Sequence, residues 1–397
     1  MHQNKFFIMG AGPHPKANEG TYLKGYSAPK SRQLLSLFSG AMGLDLGLEA
    51  AGFNLVGCLE FDHAACETIR LNKPDLPLIE GDIRDWSGAA ILQRFRTRAK
   101  DVLCVCGGPP CPSFSTAGKR QSFNDPRGEV MFDYLRIVEE IRPPFFIMEN
   151  VRGILSAALA HETYGGRRPP GGKTEYGTVL RALNERFARM GYTVTAELVN
   201  AANYGVPQKR ERVIFLGSRD GLQMSMPAGG FFQEGDMFHA PWRTIRDAFR
   251  GLRETEAEYI PYPPGRSRFF AMLEAGQNWR NLPPDLQEEA LGGAWKSTGG
   301  RVGFYRRLAW DEPAPTVPTS PIQKSTALCH PAQVRPLSVQ EYARIQQFPD
   351  TWRINGRTEE KYRQIGNAVP VGLGYAIGKA VLKYAVNYFP MEEANDE

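Results

Sequence analysis

The chain has 397 residues, of which 42% are hydrophobic and 23% are charged, and its formal net charge is +5. The length predicts a large domain together with a smaller one, and the composition is that of a chain that buries a sizeable core. No apolar run reaches about 18 residues, so we expect no membrane span, and the N-terminus does not have the pattern of a signal peptide. Six cysteines are too few for a disulfide framework, which predicts a reducing, cytoplasmic location.

The positive charge is concentrated in one part of the chain. From Arg152 to Arg219 there are 11 Lys and Arg residues against 5 Asp and Glu residues, a local excess of +6. The global charge is too small to indicate a nucleic acid partner, and this one stretch accounts for the whole excess.

The first half of the chain alternates between short apolar runs and helical spacing. Residues 1–32 are polar and rich in Gly and Pro, and we expect a loosely ordered arm there. Gly52 follows the first helical segment, in the place where a glycine commonly ends a helix. The alternation predicts a parallel α/β sheet with helices on both faces. The strands are predicted at 34–38, 55–59, 78–79, 102–105 and 145–148.

The order loosens after Val151. Residues 164–177 are rich in Gly, Pro and Arg and are predicted to form an exposed basic loop. Between 226 and 330 the periodicity is poor and Pro, Gly and aromatic residues are frequent, which indicates a separate, irregular lobe. Regular patterns are found at 179–190, 194–199, 213–217, 338–347 and 371–385. The large domain is therefore predicted to be discontinuous, over 33–225 and 331–397, with a small domain over 226–330.

A glycine-containing turn, FSGAMG over 38–43, separates the first strand from the first helix. Glycines at such a turn let a nucleotide approach the backbone, and an acid at the end of the next strand can bind ribose hydroxyls. Glu60 lies 20 residues beyond Gly40, the separation that this arrangement requires. Asp82, at the end of the third strand, is placed to accept a bond from an adenine amino group. These residues indicate a nucleoside cofactor, dinucleotide or adenosyl, while a plain tight turn is the simpler alternative.

A cysteine between two prolines follows the fourth strand, in GPPCPSFS. Ligands bind at the carboxyl ends of the strands in such sheets, and the prolines fix the backbone around Cys111, which suits a thiol that must be aimed. The alternative is a rigid loop with an incidental thiol. Cys104 and Cys106 alternate along a buried strand and are interpreted as structural. A metal site and a zinc deaminase are both disfavoured, because no second Cys or His pair and no His-x-Glu motif accompanies these cysteines.

Three more polar motifs follow later elements. Glu149, in ENV, comes directly after the fifth strand and is expected to reach the same pocket as Cys111. Arg210 and Arg212, in QKRER, would share one face of an entering strand. Asn367, in QIGNAVP, is predicted at the opening of the last helix. Alone, each has a plain explanation: a strand-end cap, a solvated basic turn and a helix cap.

In this order and spacing the motifs resemble the DNA cytosine-5 methyltransferases, over roughly residues 33–381. The matching blocks are LLSLFSGAMGLDLGLEAAGF, GPPCPSFS, IMENV, QKRERVIFLG, RPLSVQEYARIQQFP and QIGNAVP. The resemblance implies an α/β, Rossmann-like sheet that binds S-adenosyl-L-methionine, and a smaller, irregular target-recognition domain that faces it across a DNA-holding cleft. It further implies methylation at C5 of a cytosine in a specific double-stranded DNA sequence, without a metal ion.

The resemblance also assigns roles to single residues. Cys111 would add as a thiolate to C6 of a cytosine flipped out of the duplex. Glu149 would hold the base through N3 and its amino group, Arg212 would contact the cytosine carbonyl oxygen, and Arg210 would orient that network or contact a phosphate. The implied cofactor contacts are Phe38, Gly40, Gly43, Glu60, Asp82, Pro110 and Asn367. The implied DNA contacts are Ser115, Lys119 and Arg127 in a mobile loop, Thr316 near the base of the lobe, and the basic stretch 152–219 through phosphates.

Two positions depart from the family pattern. Met42 stands where the family usually has a glycine, which restricts the backbone of the turn. Pro112 follows Cys111 where the family usually has a glutamine, so a backbone donor and a side-chain amide are missing there. The contacts that this glutamine would make to the flipped nucleotide are therefore in question, and the nucleophile itself is not.

Other readings fit the sequence less well. An RNA cytosine-5 methyltransferase of this architecture normally carries a Cys-Phe-Thr signature, whereas Cys329 is followed by His330. A catalytically silent DNA-binding module is disfavoured by the joint presence of Cys111, Glu149 and the two QKRER arginines. A nicotinamide dehydrogenase would explain the glycine turn and leave GPPCPSFS and QKRER without a role.

The biological setting follows from the resemblance alone. We expect a monomeric prokaryotic or phage enzyme of the restriction-modification type, with a cognate restriction endonuclease as its functional partner. The DNA sequence that it recognises cannot be read from the irregular lobe. Arginines of the lobe that are expected either to read guanine or to contact phosphate are Arg243, Arg246, Arg266, Arg268, Arg301, Arg306 and Arg307.

Overall fold

The computed structural model describes residues 6–9, 32–110, 126–156, 178–253, 257–296 and 303–386. The strands are β1 (Phe6–Met9), β2 (Gln33–Leu37), β3 (Asn54–Glu60), β4 (Leu78–Glu80), β5 (Val102–Gly107), β6 (Phe145–Val151), β7 (Thr193–Asn200), β8 (Gln208–Lys209), β9 (Glu211–Ser218), β10 (Phe231–Phe232), β11 (Ala240–Pro241), β12 (Arg306–Arg307), β13 (Ala314–Pro315) and β14 (Leu328–Cys329). The α-helices are α1 (Gly43–Ala51), α2 (His63–Asn72), α3 (Gly88–Arg94), α4 (Pro126–Ile141), α5 (Thr178–Met190), α6 (Ile245–Phe249), α7 (Pro264–Ala271), α8 (Pro284–Leu291), α9 (Val339–Ile345), α10 (Thr358–Asn367) and α11 (Val371–Ala385).

An eight-stranded sheet, in the order β1-β7-β9-β6-β5-β2-β3-β4, forms the centre of the large part. The pairs from β6 to β4 are parallel. From β2 the chain places β3 and β4 on one side and then β5 and β6 on the other, so the strand order reverses beside β2. A crevice at the carboxyl ends of the strands is expected at such a point.

Apolar side chains cover both faces of this sheet, as expected for near-continuous apolar strands. In β2, Leu35 and Leu37 pack into a cluster with residues of α3, α4 and α5. Leu34 of the same strand packs on the opposite face, with residues of α1, α2 and α11. The predicted three-layer α/β architecture is therefore confirmed.

The five strands that were predicted to be parallel, β2 to β6, are parallel to one another, and the sheet becomes mixed beyond β6. β9 runs antiparallel to both of its neighbours, β6 and β7. A short connection that contains one 3-10 turn, Ala201–Tyr204, joins β7 to β8, and no α-helix intervenes to return the chain to the same end of the sheet. Strand direction depends on such connections and is not encoded in the apolar pattern of the strand itself.

The N-terminal arm predicted over residues 1–32 contains a strand. β1 pairs antiparallel with β7, with Phe6 opposite Glu197 and Met9 opposite Val194. The prediction of a loosely ordered arm is therefore wrong for these four residues. The physical reason is that a short run of β-favouring residues, FFIM, meets the otherwise unpaired edge of β7.

Residues 226–330 consist of short helices and two-residue strands among the parts that the structure describes. One apolar cluster lies wholly within 262–329 and includes Phe270, Trp279 and Tyr305. A second cluster joins this part of the chain to α9 and α10 through residues such as Leu308 and Tyr342. Packing is thus continuous across residue 330, where the sequence suggests the return to the large domain.

The first and last helices, α1 and α11, approach so closely that glycines are required between them. A Cβ on Gly47 would lie 2.3 Å from the carbonyl oxygen of Val371, and one on Gly374 would lie 2.8 Å from the carbonyl oxygen of Leu44. The C-terminal helix α11 therefore packs directly on α1, the helix that follows the glycine turn. This contact joins the two separate parts of the chain into one sheet domain.

Residues 358–385 are long and apolar enough to span a membrane, judged by length and composition alone. However, 61% of the most apolar segment of this stretch is buried inside the protein. Residues 368–370 separate it into α10 and α11. Its apolar character is explained by its packing in the core.

Candidate active site

A single cleft of 1810 Å³ opens at the carboxyl ends of the parallel strands. Its volume exceeds the roughly 300–1,000 Å³ of a typical small-molecule site, so it can hold a cofactor and a second ligand together. Every predicted site residue whose side chain the structure describes lines this cleft. These residues are Phe38, Gly40, Gly43, Glu60, Asp82, Pro110, Glu149, Arg210, Arg212, Thr316 and Asn367.

The turn after β2 has a left-handed backbone at three positions. Gly40 has φ +53, and a Cβ there would meet nothing within 4 Å, so the turn leaves open space above it. Phe38 and Met42 have φ values of 60 and 68, although neither is a glycine. Met42 thus adopts the conformation that the usual family glycine would favour, at a cost of about 1 kcal/mol, and its side chain is fully buried in the core.

Glu60, at the end of β3, ties the glycine turn to the neighbouring strand. Its carboxylate accepts hydrogen bonds from the backbone N–H groups of Gly40 at 2.7 Å and of Phe61 and Asp62 at 2.8 Å each. Burial raises the pKa of Glu60, and these backbone donors oppose that rise. The carboxylate is therefore positioned by the backbone at the edge of the cleft.

Asp82 lies two residues past β4, next to the same part of the cleft. Its side chain accepts from the backbone N–H and the guanidinium of Arg84, at 3.0 Å to each. The Arg84 contact holds the pKa of Asp82 below its usual range. An anionic acceptor is thus available at the end of the strand next to the one that carries Glu60.

Gly43 lines the cleft, but its lack of a side chain has a packing reason. A Cβ there would lie 2.2 Å from the carbonyl oxygen of Val369, in the turn before α11. That turn also differs from the sequence prediction, since Asn367 ends α10 instead of opening the last helix. The helix stops there because the residue before Pro370 disfavours the α conformation.

Glu149 and Arg212 form an ion pair inside the cleft. The Nε of Arg212 lies 2.7 Å from Oε1 of Glu149, and both side chains are about nine-tenths buried. Glu149 is within β6 and does not follow it as predicted, because the antiparallel partner β9 extends the ladder to Val151. The pair therefore lies on two hydrogen-bonded strands, which hold the carboxylate in place.

Arg210 lies between β8 and β9 and is 1% exposed. Its Nη2 donates to the carbonyl oxygen of Gly366 at 2.9 Å, while its Nε and Nη1 have no hydrogen-bond partner among the residues that the structure describes. Burial lowers the pKa of Arg210, the neighbouring Arg212 lowers it further, and Glu149 raises it. A buried guanidinium with hydrogen-bonding capacity left over at the wall of a cleft is typical of a functional residue.

Asn150 is a site residue that the sequence analysis did not single out. It is 2% exposed, and its Nδ2 donates to the carbonyl oxygen of Pro109 at 3.2 Å. This bond joins β6 to the loop that leads to Cys111. The sequence signal that could have identified Asn150 as a site residue was its position directly after Glu149 in IMENV.

Asp45 was also missed. This residue of α1 lines the cleft and is 1% exposed, and its Oδ2 has no hydrogen-bond partner within the described part of the chain. Burial raises the pKa of Asp45 to about 7, the side chain of Ser36 opposes this rise, and Glu49 adds to it. Asp45 was missed because an acidic residue in a helix is usually taken to face solvent. The helical spacing of α1 was the available signal, since it places this position toward the sheet.

Some predicted residues fall outside the described part of the chain. Cys111, Ser115 and Lys119 lie in 111–125, and for Arg127 only the backbone, in α4, is described. Thr316 is exposed, and its Oγ1 donates to the carbonyl oxygen of Lys209 at 3.0 Å, which connects β13 to β8.

Several of the candidate DNA-binding arginines have structural partners. Arg307 donates to the carbonyl oxygens of Leu273 at 2.5 Å and Pro331 at 3.0 Å, so it holds the lobe together rather than facing a ligand. In the basic stretch 152–219, Arg186 pairs with Glu139. The charge excess is therefore only partly available for phosphate contacts.

Comparisons with known proteins agree with this geometry. The sequence model of the family described as C-5 cytosine-specific DNA methylase matches residues 32–383. The type II methyltransferase M.Eco47II of Escherichia coli is 38% identical over 355 residues, which cover 88% of this chain and 78% of that protein. The type II methyltransferase M.Sau96I of Staphylococcus aureus is 38% identical over 361 residues, covering 89% and 76%.

The solved structures show the same fold. A prophage-encoded protein of E. coli, described as a DNA modification methyltransferase, superposes with a TM-score of 0.63 at 22% identity, over 89% of this chain and 99% of that one. The Dnmt2 methyltransferase of S. pombe gives a TM-score of 0.52 at 17% identity, over 89% and 99%. The family match and the relatives together show that this chain belongs to the C-5 cytosine-specific DNA methylases and is a DNA (cytosine-5-)-methyltransferase, similar to those of restriction-modification systems.

Proposed function

We propose that the protein methylates C5 of one cytosine within a specific double-stranded DNA sequence, with S-adenosyl-L-methionine as the methyl donor and Cys111 as the nucleophile. The observation that supports this most is the cleft wall formed by Glu149, Arg212 and Arg210, in which an ion pair lies beside unpaired guanidinium donors. Such a set matches the mixed donors and acceptors on the edge of a cytosine.

The other end of the cleft fits the adenosyl donor. Glu60 is held at a strand end by three backbone donors and has capacity left for a ribose hydroxyl. Asp82 offers an acceptor for the adenine amino group, and the open space above Gly40 admits the cofactor close to the backbone. Phe38, Pro110 and Asn367 complete the proposed contacts along the cleft. When bound, the cofactor supplies an activated methyl group as a sulfonium.

The chain's own residues would prepare the base. The Cys111 thiolate adds to C6 of the cytosine and makes C5 nucleophilic. Glu149 holds N3 and the amino group and offsets the positive charge that develops there, while Arg212 donates to the carbonyl oxygen. Arg210 positions this network from its buried place behind it. After C5 has taken the methyl group, the C5 proton leaves and the Cys111 thiolate is expelled, so the enzyme is restored.

Asn150 supports the aim of the nucleophile. Its bond to the carbonyl oxygen of Pro109 fixes the loop two residues before Cys111. The base can reach this pocket only after leaving the duplex stack. Pro112 lacks an N–H and a side-chain amide, so whatever fills the space of the flipped base must come from another part of the chain.

The partners follow from the same proposal. Residues 226–330, with Thr316 at their base, would contact the duplex, and Ser115, Lys119 and Arg127 would close over it. We expect a monomer bound to one duplex and a cognate restriction endonuclease that acts on the same sequence without a stable complex.

A methyl-transfer assay tests the proposal. The protein is incubated with labelled S-adenosyl-L-methionine and either duplex DNA or tRNA, and methylated plasmid is then sequenced to locate the modified base. We expect label in DNA at one sequence, background label with Glu149→Ala, and unchanged transfer with Cys329→Ala, a thiol that does not line the cleft. Transfer to tRNA alone, or undiminished transfer by Glu149→Ala, would contradict it.

A further inference from the structure

The loop 233–239 presents two large apolar side chains to solvent. Met237 is 90% exposed and Phe238 is 84% exposed, and no other large apolar side chain that the structure describes exceeds 70%. Single exposed apolar residues are ordinary, but two adjacent ones at a loop tip leave a contiguous apolar surface without a cover.

This exposure is built into the loop. The carboxylate of Asp236 accepts from the backbone N–H groups of Phe238 at 2.7 Å and His239 at 2.9 Å, and its Oδ1 lies 2.8 Å from the Nδ1 of His239. The His239 ring packs edge-on against Phe232, with ring centroids 4.3 Å apart. Because the Asp236 carboxylate accepts all of these hydrogen bonds, the loop forms a defined turn in which Met237 and Phe238 are exposed to solvent.

The ends of the loop belong to the wall of the active-site cleft. Gln233 and Trp242 both line it, and the Nε1 of Trp242 donates to Oδ1 of Asn203 at 3.0 Å. β10 and β11 clamp the two ends of the loop together. The base of the loop therefore lies at the wall of the cleft that receives the target base.

Two positively charged side chains lie at the base of the loop. The Nζ of Lys209 lies 5.5 Å from the centre of the Trp242 ring, and the guanidinium of Arg243 lies 5.7 Å from the centre of the Phe231 ring. Glu234 and Asp236 within the loop are acidic, so the positive charge lies only at its base. An apolar tip above a positively charged base suits a ligand with a charged outside and an apolar inside. Duplex DNA is such a ligand, since phosphates surround the stacked bases.

We propose that Met237 and Phe238 form an apolar wedge that enters the DNA duplex at a base step next to the target cytosine. This rests on the proposed function, because it requires duplex DNA across the cleft. The cations at the base of the loop contact phosphates, while the fixed tip separates two stacked bases and covers its own apolar surface with them.

The test uses a duplex that carries the methylation sequence, mapped by plasmid sequencing, with 2-aminopurine at steps around the target. Its fluorescence rises when a base loses its stacking partner. We expect a rise on binding of wild-type protein, and loss of that rise at one step with the double variant Met237→Ser, Phe238→Ser, together with at least about tenfold weaker DNA binding. Met272→Ser, a matched control at an exposed apolar residue outside the cleft, should leave both unchanged.

Further measurements separate this inference from the proposed function. The double variant should methylate a duplex that is already mismatched at the affected step at nearly the wild-type rate, because the wedge is not needed there. If wild type methylates DNA but the double variant keeps the same fluorescence and affinity, the wedge is wrong and the proposed function stands. If sedimentation shows that the tip pairs two copies of the chain, and that the double variant is monomeric with unchanged DNA affinity, the inference is also overturned.

Discussion

The buried acid Asp45 allows a quantitative prediction about stability. Substitution of Asp45 by Asn keeps the size of the side chain and removes its charge. Asp45 is 1% exposed and one of its carboxylate oxygens has no hydrogen-bond partner in the described ranges, so its ionised form is poorly stabilised. We therefore expect the variant to be more stable than the wild type wherever Asp45 would be ionised.

The magnitude follows from the pKa. Burial raises the pKa of Asp45 from 3.8 to about 7. Because the folded state binds a proton that the unfolded state releases between these values, wild-type stability falls as the pH rises through this window, and the whole cost is present above pH 7. At about 1.4 kcal/mol for each pKa unit, the cost is about 4 kcal/mol at pH 8 and about 2 kcal/mol at pH 5.

Urea unfolding of both proteins at pH 5 and pH 8 measures this difference. The advantage of Asp45→Asn in free energy of unfolding should be about twice as large at pH 8 as at pH 5. Asp75→Asn, at an exposed position between α2 and β4, is the control and should show no such change. An advantage that is equal at the two pH values, or a variant less stable at pH 8, would refute the reasoning.

Two further substitutions probe the helix contact and the base pocket. Gly47→Ala places a Cβ 2.3 Å from the Val371 carbonyl oxygen and should lower the free energy of unfolding by about 1–3 kcal/mol, measured by thermal unfolding. Gly265→Ala is the control, because its Cβ would meet no atom within 4 Å, and it should not destabilise the protein. Equal melting temperatures for the two variants would contradict the packing argument. Arg212→Lys loses the planar fork next to Glu149 and should lower kcat/KM for DNA about 10²-fold with unchanged cofactor affinity in calorimetry; full activity would remove Arg212 from the proposed site.

Local patterns in the sequence predicted much of the sheet domain. The helix stop at Gly52 and the place of Glu60 at the end of β3 depend on neighbouring residues, so single segments reveal them, whereas the end of β6 and the buried place of Arg210 were not predicted. The motifs also brought the described site residues to one cleft, since the carboxyl ends of parallel strands meet at one edge of a sheet.

The remaining features depend on contacts between distant segments. The antiparallel direction of β9 arises from its connection to β7, and β1 forms because β7 offers a free edge. The packing role of Gly43 depends on Val369, more than three hundred residues later. The turn that exposes Met237 is held by hydrogen bonds to Asp236 and shows no apolar periodicity in the sequence. The position of this loop next to the cleft depends on the tertiary fold.

The central claim, that Cys111 attacks the flipped cytosine, is tested most directly by trapping the covalent intermediate. A duplex with 5-fluorocytosine at the mapped position lacks the proton that must leave C5, so the adduct should persist. We predict a DNA–protein adduct that requires S-adenosyl-L-methionine, survives denaturing electrophoresis and maps to Cys111 by mass spectrometry, and that is absent from Cys111→Ala. An adduct on another residue, or undiminished methyl transfer by Cys111→Ala, would contradict the mechanism.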